Sequence, residues 1–147
     1  VSSADLSEPL RTAIVGNAGI AALLSDYKGS EAVFTRMPVP EDAPYPMIVI
    51  SPDILVDNSD GLNDFQPIIT KQVVVWSAND TPANYRLANQ IALLIRTLLH
   101  RQPRAIIVPS WGVVGIQVRG PEQIFSDVQA QTEGRVLIVE VHLAQRR

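Results

Sequence analysis

The chain of 147 residues has no cysteine, which excludes a disulfide framework, a zinc knuckle and a thiol nucleophile. It also has no excess of positive charge. Net charge is −3 and the pI is near 5.3, whereas a dedicated nucleic-acid binder rests on clustered Lys and Arg. Long hydrophobic runs are absent: stretches such as IALLI are far too short to cross a bilayer. No basic head with an apolar core marks a secretory signal, so the expectation is a soluble chain with no membrane partner. Glycine-rich phosphate motifs are missing too, both G-x-x-x-x-G-K-[ST] and G-x-G-x-x-G.

What is present describes one globular domain. Hydrophobic residues are 46% of the chain and charged residues 18%, far from disordered composition. A chain of this length buries roughly 68–70% of its unfolded surface and needs no metal to fold. Residues 1–147 show no repeat or linker and are read as a single domain. Charge is uneven along it. Residues 1–60 carry nine acids and three bases, residues 61–147 six acids and nine bases. Such asymmetry has two readings of equal weight: head-to-tail contact between copies, or a chance distribution that the fold interleaves.

Ser7 is the expected N-cap of a first helix, with Glu8 and Pro9 in its first turn. Leu10, Ile14 and Val15 form an apolar stripe, GNAG (16–19) breaks it, and Ile20, Leu23 and Leu24 resume it. Two short helices, or one kinked helix, are expected over 7–25. The Gly-x-x-Gly lacks the basic context of an RNA-binding clamp and reads as a helix junction. VFTR (33–36) is a short strand candidate. MPVPEDAPYP follows, and its four prolines leave an extended, stiff segment, read as a rigid connector in preference to an SH3-type ligand. MIVIS (47–51) suits a buried strand.

DILVDNSDGLNDF places Asp53, Asp57, Asp60 and Asp64 around Gly61. As a calcium loop with Gly61 sixth, its first and twelfth positions would be Val56 and Pro67, which offer no side-chain oxygen. The reading is a polar β-hairpin arm exposed to partners. From Ile68 to Ser77 the chain alternates, with Thr70, Gln72, Val74 and Trp76 on one side and Lys71, Val73, Val75 and Ser77 on the other. A long helix from Pro82 has Leu87, Ala88, Ile91, Leu94, Ile95 and Leu98 on one face. Leu93 falls on the polar face, as a candidate subunit contact. AIIV (105–108), GVVGIQV (112–118) and RVLIVEVHL (135–143) read as three more strands. The predicted fold class is α+β: a mixed, mainly antiparallel sheet with the long helix and the N-terminal helix pair packed on it, plus the hairpin arm.

A search for chemistry finds no constellation. VPSWG around Ser110 resembles a nucleophile elbow but has Val108 where glycine belongs and leads into a strand. His100 and His142 lack metal-ligand spacing and read as surface or structural residues. The loop in KQVVVWSANDTPANYRLANQI has Thr81 as N-cap, Pro82 at the first helical position and Asp80 nearby. It has neither glycine nor base for an anion, so it reads as a structural corner, with Trp76 as a core anchor beneath the helix. No catalytic residue, cofactor site or metal site is expected, and the chain is read as not an enzyme.

The order of these segments resembles the tail terminator, or tail-completion, proteins of long-tailed bacteriophages, prophages and gene transfer agents. The carrying stretches are LRTAIVGNAGIAALLSD, MPVPEDAPYPMIVIS, VVVWSANDTPANYRLANQIALLIRTLL and GRVLIVEVHL. The acidic segment Asp53–Asp64 is longer than in the shorter members. The resemblance implies a hexameric ring on the head-proximal end of the tail tube, ending tube polymerisation and facing the head-tail connector. DNA would pass the lumen without sequence-specific binding. It implies a place in the virion tail, after assembly in the host cytoplasm. Partners would be other copies, the tail tube protein and the connector or adaptor. The candidate subunit or partner contacts are Asp57, Asp60, Asp64, Leu93, Arg119, Arg146 and Arg147. The alternatives are a head–tail adaptor or head-completion ring, and a small ligand-binding or enzymatic α+β domain.

Overall fold

The computed structural model describes residues 5–36, 39–60, 65–78, 80–124 and 132–145. It begins with α1 (Ser7–Val15), α2 (Ala18–Ala21), β1 (Asp26–Tyr27), β2 (Ser30–Glu31) and β3 (Val33–Phe34). Then come β4 (Met47–Ile50), β5 (Leu55–Asp60), β6 (Phe65–Ala78) and α3 (Pro82–Leu99). Two long strands, β7 (Trp111–Ile124) and β8 (Thr132–Gln145), close the chain. The main sheet has six strands in the order β3-β4-β6-β8-β7, with β5 also on β6. Among the described residues, only β3 and β4 run parallel within it. β1 and β2 form their own hairpin, turned by Lys28 (φ 51°) and Gly29 (φ 85°), the paired left-handed residues of a tight hairpin turn. The α+β class expected from the sequence is the fold observed.

Register explains which face is buried. On β6, Lys71, Val73, Val75 and Ser77 are buried; on β8, so are Leu137, Val139, Val141 and Leu143. Val73 lies opposite Leu137 and Lys71 opposite Val139, so one face of the sheet is lined by both strands. On this face sits α3, buried at Ala88, Ile91, Ala92, Ile95 and Leu99. The stripe is turned slightly from the expected one, and Leu87, Leu94 and Leu98 flank it half-buried. Ala88 and Ala92 are small, so the helix backbone can approach the sheet there. The start of α3 is as expected: Thr81 accepts the Asn84 amide at 3.1 Å and Pro82 sits in the first turn.

The first helix corrects one expectation. The N-cap position is Leu6, which offers no side-chain cap; Ser7 is already the first helical residue, and its amide donates to Asp5 Oδ1 at 3.0 Å. The Ser7 hydroxyl is used elsewhere, as an acceptor for Lys71 Nζ at 3.0 Å. Lys71 is 2% exposed, and its ammonium also donates to the Ser51 carbonyl and pairs with Asp53, each at 3.0 Å. A buried ammonium has three donors to satisfy, and here all three have partners. One side chain thus joins α1, the segment after β4, and β6. The helix pair itself divides where GNAG predicts, with Asn17 Oδ1 accepting the Ile20 amide at 3.1 Å.

AIIV (105–108) is not a strand. Prolines at 103 and 109 bracket it, and turns close on both sides: Ala105 N–H donates to Gln102 O, and Trp111 N–H to Val108 O. Its alternation is real, since Ile106 and Val108 are 3% exposed and Ile107 is 81% exposed, but the segment pairs with no strand.

Candidate interaction surfaces

Trp76 is not beneath the helix. It belongs to the outward half of the β6 alternation, opposite Gly134 of β8. An ideal Cβ on Gly134 would lie 2.7 Å from Trp76 Cζ3, so the indole lies directly over bare backbone. The outer sheet face continues along β8 through Val136, Ile138, Glu140 and His142, all half-buried. On β7 the exposed Arg119 pairs with Glu140 at 2.6 Å, a contact worth about 0–1 kcal/mol in solvent. Beside it Ile68, Gly115, Gln117, Glu140 and His142 line a shallow hollow of about 210 Å³. His142 Nε2 is buried there with no hydrogen-bond partner among the described residues.

β7 is an outer strand, and such a strand invites pairing with another chain. Its middle is covered by the end of α3. Arg96 Nη1 donates to the carbonyls of Val118 at 2.9 Å and Gly120 at 2.7 Å. His100 Nδ1 accepts the Val118 amide at 3.1 Å, and the Arg101 amide donates to Ile116 O at 2.9 Å. The backbone groups a neighbouring strand would need are therefore occupied. Two bulges interrupt the strand, one between Val113 and Gly115 and one between Arg119 and Glu122. The second contains Gly120 at φ 100°, where a Cβ would fall 2.7 Å from Val136 O. Only glycine fits that position.

Two proline-stiffened segments leave large hydrophobic side chains in solvent. Residues 101–110 carry exposed Arg101 and Arg104 and no acid, and present Ile107. Two non-glycine residues with positive φ mark their ends, Arg101 at 58° and Ser110 at 68°. Ile107 is a ridge between two mainly apolar hollows of about 320 and 330 Å³, one walled by Glu8, Pro9 and Ala13 of α1, the other by Arg104, Trp111 and Val113. Residues 39–46 carry exposed Glu41 and Asp42 and no base, and present Tyr45, 43% exposed. Tyr27 Oη donates to Asp42 Oδ1 at 3.0 Å, which ties this segment to the β1–β2 hairpin.

The residues picked out from sequence fall as follows. Asp57 and Asp60 lie in β5, opposite Ile68 and Phe65 of β6, in the expected hairpin. Leu93 is 47% exposed on the solvent side of α3. Arg119 is on the outer sheet face. Asp64, Arg146 and Arg147 lie outside the described residues. Of the two histidines, His100 serves the β7 edge and His142 faces the hollow. Ser110 stands on a turn that enters β7, so no helix begins behind its hydroxyl. Ile107 and Tyr45 were missed. The signal for Tyr45 was a lone aromatic in a polar, proline-rich run; Ile107 had none that set it apart from its neighbours.

Among the described residues, no group of three or more His, Asp and Glu is placed to hold a metal ion, and no helix is long and apolar enough to cross a membrane. No family model matches the chain, and no curated protein matches it. Among solved structures, it is similar to a chain from the virion of a native gene transfer agent particle. The match has a TM-score of 0.73 and 15% sequence identity, and covers 95% of this chain and 94% of that one.

Proposed function

We propose that this chain is a structural virion protein whose copies form a ring on the head-proximal end of a phage-like tail tube, end tube polymerisation and join the tail to the head connector. The observation that carries the reading is the near end-to-end fold similarity to a chain of a gene transfer agent virion. The order of sequence segments, which resembles tail terminators, supports it independently. So does the surface: exposed hydrophobic side chains sit among charges of one sign on separate segments, as an assembly component needs.

In this reading the chain is not an enzyme and takes no cofactor, and it acts through the shape and charge of its outside. Net negative charge suits a ring whose lumen lets DNA pass without holding its phosphates. A hexamer is the proposed stoichiometry, and the tail tube and connector proteins are the proposed partners. Deleting the gene from its phage or particle tests the role. Overlong or uncapped tubes are expected. Tails of normal length that fail to join heads would assign the chain to the adaptor position instead.

A further inference from the structure

The two proline-stiffened segments carry opposite charge and each presents one exposed large hydrophobic side chain. One is basic and carries an aliphatic ridge between two mainly apolar hollows; the other is acidic and carries an exposed tyrosine. They also enter the sheet on opposite sides. Residues 101–110 lead into β7, the strand at one edge, and residues 39–46 lead into β4, beside β3 at the other. The strand ends differ as well. Met47 of β4 lies opposite Trp76 near the finish of β6, whereas Trp111 of β7 lies opposite Gln145 at the finish of β8. The segments are therefore remote from one another in one chain, and no single copy can bring them together.

We infer that residues 101–110 of one copy dock on residues 39–46 of the next, with Tyr45 entering a hollow beside Ile107 and with Arg101 and Arg104 facing Glu41 and Asp42. This inference rests on the ring reading and names the surfaces that would make the ring. The contact is head-to-tail, since each copy offers two different patches, and such contacts close into rings or extend into filaments. Tyrosine and arginine are the side chains that most often dominate interfaces, and arginine suits planar carboxylate partners. Five prolines, at 40, 44, 46, 103 and 109, hold the two segments stiff before contact, so little chain entropy is lost on docking. Strand addition at the middle of β7 is not the mode, because Arg96, His100 and the Arg101 amide occupy that edge.

The absence of cysteine makes a direct test available. I107C and Y45C are prepared singly and together, checked for native circular dichroism, and treated with a short bis-maleimide under conditions where the unmodified chain self-associates, alone or on tail tubes. The double variant is expected to give a ladder of linked oligomers. A mixture of the two single variants should give linked dimers, and each single variant alone none. A second arm reverses charge. R101E/R104E and E41R/D42R should each weaken self-association about tenfold or more, and the fourfold swap should restore most of it. An oligomer that shows neither linkage nor swap rescue overturns the proposed contact and leaves the ring reading standing. A chain that stays monomeric, both alone and with tail tubes, overturns both.

Discussion

His100 Nδ1 accepts the amide of Val118 at 3.1 Å, linking the first residue after α3 to an outer strand. With Arg96 on the carbonyls of Val118 and Gly120, the helix end does the work of a neighbouring strand. A sheet protected this way presents side chains to a partner rather than open backbone.

The first prediction concerns that edge. His100→Leu strands a backbone amide and should cost about 1–3 kcal/mol, read as a lower urea midpoint. His100→Asn keeps an acceptor of similar reach and should lose less. Arg96→Leu, which frees two carbonyls, should lose at least as much as His100→Leu and should aggregate more readily on refolding. Equal stability and solubility in all three variants would contradict the assigned role.

Lys71 gives the second. Its ammonium is buried with Ser7, Ser51 and Asp53 as acceptors. Lys71→Met leaves those groups without their donor. The expected loss is roughly 1–3 kcal/mol, below that of a fully buried pair because Asp53 keeps 33% of its side chain in solvent. Asp53→Asn should cost less, since the ammonium retains two other acceptors. A double-mutant cycle by chemical denaturation measures the coupling.

Trp76 and Gly134 give the third. Gly134→Ala places a methyl where the indole lies and should destabilise by about 1–3 kcal/mol. In a Trp76→Leu background the same change should cost much less. Additive effects would mean that the indole yields without strain.

These three relationships differ in how far the sequence disclosed them. Alternation along β6 and β8 and the 3.6-residue stripe of α3 were legible, because burial on one face writes itself into residue order. The same alternation placed Trp76 with Thr70 and Gln72, on the side away from the helix; reading it as a core anchor gave size more weight than phase. AIIV has a strand's alternation, yet prolines on both sides keep it unpaired. The true lengths of β7 and β8 were not legible, since glycine and charged residues, with a proline in β7, continue the strands beyond their apolar centres. For the surfaces, Leu93 is exposed as its place on the polar face of α3 implied, and Arg119 is exposed on the outer sheet face. Ile107 stayed hidden, because nothing local distinguishes an outward isoleucine from its buried neighbours.

A fourth prediction concerns the hairpin arm. Reversing charge at Asp57, Asp60 and Asp64 together should weaken ring assembly or tail attachment, as the arm is proposed to contact a neighbouring subunit or ring. Sedimentation of the variant, alone and with tail tubes, checks it. Wild-type behaviour in both would remove the arm from the contact surface.

In the proposed role the chain caps a tube by stacking against copies of itself and against the tube end. Electron microscopy of the purified protein added to polymerising tail tube protein tests this most directly. The predicted result is a ring at one end of each tube, with tube growth stopped there. Bare ends on tubes that lengthen as they do without the protein would contradict it.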